Sequence, residues 1–172
     1  MAVTYEPIAT TTLGADAATI TFSSISSAYT DLRLVIVART DRATTGNDTV
    51  FLRFNSDTGT NYSYTTLSGN GTTAASSNGT SANTMNVGLA TRNSNTSGIF
   101  ALSTVDIFSY GGSTYKTTLC TASADLNGSG DVYRTVGLWR STSAITSITL
   151  SLASTFKYLT GTTATLYGIL KA

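Results

Sequence analysis

Thirty-five of the 172 residues are threonine, and this narrows the folds open to the chain more than any motif in it. Threonine is branched at Cβ and stiff at χ1, so it suits a pleated surface and suits a helix poorly. Its hydroxyl keeps an outward face wet without charge. Twenty-two serines raise the hydroxyl residues to a third of the chain, while 41% of residues are apolar and only 11% charged. A chain so apolar and so weakly charged is neither disordered nor a solvated helical protein. The expectation is an all-β protein that presents hydroxyls to its surroundings.

Patterning along the chain supports this class. Residues 1–16 read as an extended N-terminal arm, because Pro7 disfavours a helix and Thr10-Thr11-Thr12 is β-prone. Residues 17–172 read as one domain. Within it, Ile20 and Phe22 alternate with threonines, Leu32–Thr40 is apolar almost throughout, and Val50, Leu52 and Phe54 form one stripe. Further strands are expected at 62–67, 85–90, 99–109, 115–124, 132–140, 145–153 and 163–170, with 85–90 a short edge. Residues 68–83 carry two Asn-Gly turn signals and read as a long low-complexity loop. Short strands broken every 8–15 residues predict an antiparallel two-sheet β-sandwich of jelly-roll or Greek-key topology.

The chemistry available to such a chain is narrow. With no histidine and one cysteine, Ser-His-Asp triads, Cys-His pairs, His-ligated zinc and all-cysteine metal cages are excluded. Eight aspartates and Glu6 remain for acid–base work, of which Asp106, Asp125 and Asp131 are the candidates. Asp106 lies in an apolar strand and is expected to be a buried carboxylate paired with an arginine such as Arg39, Arg53 or Arg140. No catalytic residue and no cofactor are expected.

Asp125, Asn127, Ser129 and Asp131 place oxygen ligands at alternate positions, a weak calcium candidate. The bidentate Glu of an EF-hand would fall at Val136, and Asn127-Gly128 is a hairpin turn signal in its own right. A plain turn is therefore expected. Cys120 reads as a small core residue, and Trp139 either as a core residue or as a platform for stacking on a glycan.

Net charge is +1, and the basic residues are scattered, so nucleic acid is not an expected partner. The longest aliphatic run, Leu34–Ala38, is far short of a membrane span. The first residues show neither a basic nor an apolar leader region, so synthesis in a cytosol is expected, and the six Asn-x-Ser/Thr sequons are not expected to be glycosylated. Tyr5, Ile8 and Leu13 of the arm are expected to bind a neighbouring subunit, since a β-prone arm gains order by pairing with an exposed edge.

Four stretches carry a family likeness: residues 20–35, Phe54-Asn-Ser-Asp-Thr-Gly-Thr-Asn-Tyr62, residues 137–148 around Gly137-Leu-Trp-Arg, and Ala164-Thr-Leu-Tyr-Gly-Ile169. Together they resemble small Ser/Thr-rich virion proteins of tailed bacteriophages, notably marine and cyanobacterial ones. The resemblance covers nearly the whole chain. It implies a structural protein of the virion, either decorating or cementing the capsid or forming part of a tail appendage. The expected partners are the major capsid protein or other virion proteins, and further copies of the chain, in a homotrimer. On the tail reading, host surface glycans join them.

Overall fold

The computed structural model describes residues 4–153 and 155–170, so residues 1–3 of the expected arm and 171–172 of the expected domain lie outside it. The described residues form strands and connecting turns without a helix, as the threonine content predicts. The strands run β1 (Tyr5–Thr12), β2 (Thr19–Phe22), β3 (Asp31–Thr40), β4 (Asn47–Phe54), β5 (Tyr62–Gly69) and β6 (Ala74–Ala82). They continue with β7 (Met85–Arg92), β8 (Ala101–Phe108), β9 (Lys116–Asp125), β10 (Gly130–Trp139), β11 (Ile148–Ser151) and β12 (Thr163–Ile169).

All twelve join into one open, mixed sheet. A long limb runs β1-β12-β3-β8-β9-β10-β5-β6, and a short limb runs β2-β11-β4-β7. They meet where Arg39 and Thr40 of β3 pair in parallel with Thr91 and Arg92 of β7, and every other strand pairing is antiparallel.

Period-two alternation decides which face is buried. In β3, Leu32, Leu34 and Ile36 are fully buried, while Arg33, Val35 and Val37 turn outward. In β9, Thr118, Cys120 and Ala122 are buried, while Thr117, Thr121 and Ser123 are exposed. The inward sides of both limbs supply a single core that includes Phe22, Leu34, Leu52, Phe54, Val105, Trp139, Leu150 and Leu166.

Three regions depart from the sequence expectation. Residues 5–12 are extended, but they are a strand of their own chain's sheet, with Tyr5 opposite Ile169 and Thr12 opposite Thr163. Ile8 and Leu13 are half-buried against that chain's core, and Leu13 N donates to Thr162 O. Tyr5 alone remains exposed, under the Arg33 guanidinium.

Residues 74–82, expected within a loop, form β6. Only Asn70-Gly71 is used as a turn: Asn70 N donates to Thr73 O, and the Asn70 carboxamide accepts from Thr72 N and Thr73 N. The second signal, Asn78-Gly79, is overridden by packing. Gly79 lies opposite Tyr64, and a Cβ there would sit 2.6 Å from the Tyr64 ring. The glycine is a seat for an aromatic ring across the strand pair.

Residues 85–90, expected as a short edge, instead belong to the most enclosed strand, β7. β7 pairs with β4 and lies across the inner side of β8, β9 and β10. Small residues allow that approach: a Cβ on Gly88 would fall 2.5 Å from Ser103 Oγ, and one on Gly137 would overlap Met85 Sδ. Backbone groups of β7 that no strand takes find side chains instead. Leu89 N donates to Ser103 Oγ at 3.0 Å, and the Cys120 thiol donates to Val87 O.

Candidate interaction face

Cross-strand registers bring the outward side chains of the long limb into rows. One row runs Val37, Leu102, Ser123, Val132 and Gly69. The next runs Val35, Thr104, Thr121, Arg134 and Leu67, and the third Arg33, Asp106, Leu119, Val136 and Thr65. A fourth contains Phe108, Thr117, Leu138 and Ser63. By the same alternation Tyr115 and Tyr5 belong to this face.

Every large hydrophobic side chain exposed among the described residues therefore lies on one face: Tyr5, Leu67, Leu102, Phe108, Tyr115, Val132 and Val136. Leu67 is 61% exposed and Val132 53%, on the adjacent strands β5 and β10 toward the β6 end of the long limb. Between them stand threonines. Three spacings of β8, β9, β10 and β5 by six residues of strand give a patch of about 14 by 20 Å. A contiguous surface of a few hundred Å² of this kind commonly marks contact with another molecule.

Charge on the face is sparse and mostly paired. Arg33 Nε and Nη2 grip both oxygens of Asp106, at 2.6 and 3.0 Å. This corrects the expected partner of Asp106. Arg33 and Asp106 are direct cross-strand neighbours on the outward face, whereas Arg39 is turned inward and donates to the carbonyls of Asn93, Asn95 and Thr96. Arg134 differs: among the described residues its side chain bonds only the Thr121 hydroxyl, at 2.9 Å. It is a cation without a carboxylate in the centre of an apolar field. Beside it the sheet is concave, with a hollow of about 540 Å³ lined by Ser63, Thr65, Asn78, Thr117, Val136 and Leu138.

The other sequence candidates do not join this face. Trp139 is 2% exposed, held between Phe54 and Tyr62, with its Nε1–H donating to Asp57 at 2.7 Å. It offers no ring to a glycan, because β10 turns it into the core. Burial pushes the Asp57 carboxyl up, but hydrogen bonds from Trp139, Asn61 and Gly59 outweigh this and leave it below the usual carboxylate value. Burial pushes the Cys120 thiol up to about 12, so it carries no thiolate at neutral pH.

The four calcium candidates are not brought together. Asp125 lies opposite Gly130 and Asp131 opposite Ala124, so the two carboxylates leave the hairpin from opposite faces. Asp125 instead accepts from Asn127 N, and Asp131 from Asn47 Nδ2. Leu126 N donates to Ser129 O, with Asn127 and Gly128 at φ 60° and 106°, as a two-residue hairpin turn requires.

Leu67, Leu102, Phe108, Val132 and Val136 were not apparent as a group from sequence. For Leu102 and Phe108 the available signal was the stretch 99–109, apolar on both faces apart from Asp106, which on an exposed strand means that one side awaits a partner. No family model, curated protein or solved structure matches the chain.

Proposed function

We propose that the chain is a structural protein of a tailed-bacteriophage virion, a capsid decoration or cement protein that docks through the outward face of its long limb. The observation that carries this reading is the gathering of all exposed large hydrophobics of the described residues onto one nearly uncharged sheet face. Such a face suits broad contact with a protein shell better than steering toward a polyanion. The Ser/Thr-rich phage-like stretches point the same way. The two limbs, with β7 laid over β8–β10, support reading the folded sheet as a β-sandwich. A densely packed β core suits a particle that persists outside its host, where slow unfolding matters.

A tail-fibre or receptor-binding role is the second reading. The hollow lined by Ser63, Thr65, Asn78 and Thr117, close to the exposed rings of Phe108 and Tyr115, supplies the mixture of hydroxyls and apolar rings that glycan contact uses. Gold labelling of this protein on purified virions, viewed in negative stain, separates the readings. Label over the head is the expected result, label at the tail tip would favour the second, and unlabelled virions would sink both.

A further inference from the structure

The sheet has several open ends, and all but one are protected. β1 ends the long limb with Glu6 and Pro7, a charge and a residue without N–H. β2 is only four residues long. The unpaired groups of β7 are met by Ser103 and Cys120. β6 has none of these devices: nine residues, Ala-Ala-Ser-Ser-Asn-Gly-Thr-Ser-Ala, with no charge and no proline, at the other end of the long limb. Long uncharged edges are templates for pairing with another chain.

The hairpin fixes which of its groups are free. Asn70 N bonds Thr73 O, so the 70–73 pair is hydrogen-bonded across the turn. Bonded and non-bonded pairs alternate from there in an antiparallel ladder. Ala75, Ser77 and Gly79 therefore spend their backbone groups on β5, while Ala74, Ser76 and Asn78 aim theirs away from it.

We propose that β6 joins two copies of this chain by antiparallel pairing about a two-fold axis at Ser77. In that register Ser76 faces Asn78 of the second copy, and each such pair exchanges both backbone hydrogen bonds. Ser77 faces itself, and Ala75 faces Gly79. Small residues meet small residues and no like charges meet, which is why a second copy fits this edge. Pairing with β1 of the second copy is poorer, since Pro7 withholds a donor and Glu6 brings an unmatched carboxylate. The pairing carries the outward apolar face across both copies as one surface. It is independent of where in a virion the protein sits, and it differs from the threefold grouping expected from sequence.

Sedimentation from micromolar to hundreds of micromolar protein tests it. The wild type should approach twice the monomer mass. Asn78→Pro should weaken association at least tenfold with an unchanged circular dichroism spectrum, because it removes an outward N–H and no β5 bond. In an otherwise native chain, Ser77→Cys should cross-link to dimer under mild oxidation far faster than the control Ser97→Cys, which is also exposed. This second measurement holds even if the proline variant fails to fold. A monomer throughout, a trimer, or equal cross-linking at the two positions would overturn the proposal.

Discussion

β6 and β7 are neighbours in sequence, similar in length, and opposite in fate. β6 is exposed on both faces and along one edge, while β7 is buried on nearly every side. Their sequences do not advertise this. Ala-Ala-Ser-Ser-Asn-Gly-Thr-Ser-Ala lacks a hydrophobic stripe, and its position is set by the Asn70-Gly71 turn and the Tyr64 ring on Gly79. Met-Asn-Val-Gly-Leu-Ala-Thr-Arg is scarcely more apolar than an edge strand. It is buried because Gly88, Ser103 and Gly137 leave room for it over β8–β10. What separates the two strands is space made by small residues elsewhere in the chain.

The contrast predicts a steep gradient of mutational cost. At its top, Gly88→Val places two methyls where Ser103 and Val50 already stand. Overpacking should cost about 3 kcal/mol, lowering Tm by roughly 6–12 °C. A fall under about 2 °C in a thermal melt would mean that β7 is not seated as described.

Next is the loop between β4 and β5, where the covered part of the sheet hands over to the hairpin. Asp57→Asn turns an amide donor or a single acceptor toward the three groups that the carboxylate satisfies, and should cost about 1.5–3 kcal/mol at pH 7. Because the folded carboxyl titrates below its unfolded value of 3.8, its contribution is present above that pH and is lost as pH falls through the folded value. Melts of wild type and variant should therefore converge as pH is taken progressively below 3.8. A gap that stays constant over this range would remove the charge from the explanation.

On β6 itself, Gly79→Ala brings a methyl to the Tyr64 ring, but that ring is half-exposed and can swing outward. The expected loss is about 0.5–1 kcal/mol, read by chemical denaturation. Least of all, Ser76→Thr should change stability by less than about 0.5 kcal/mol, since its side chain is exposed on an edge strand. If either change proved as costly as the one at Gly88, the contrast between the strands would collapse.

The gradient also marks how far the sequence could be read. Most strands follow from alternation and β-branched runs, because they spend one face on the core, and Asn127-Gly128 announces its hairpin by turn chemistry alone. An arginine partner for Asp106 was predictable in kind but not in identity, since only the β3–β8 register puts Arg33 opposite it. The interaction face stayed hidden for a related reason. Leu102 and Phe108 sit in a strand apolar on both sides, and a sequence does not say whether the second side is covered by the same chain.

The pairing of β1 with β12, and of β12 with β3, has a consequence for how the protein is made. β12 lies between two strands synthesised long before it, and it leaves the ribosome about 120 positions after the aliphatic β3 has emerged. At about 5–20 residues per second, one flank of β3 waits on the order of 6–25 s for its neighbour. During that interval the nascent chain carries an open, strongly apolar strand, and β1 has nowhere to dock. Completion of the sheet thus waits for β12 to emerge, and the same wait makes the half-finished chain a natural client for chaperones that shield bare strands.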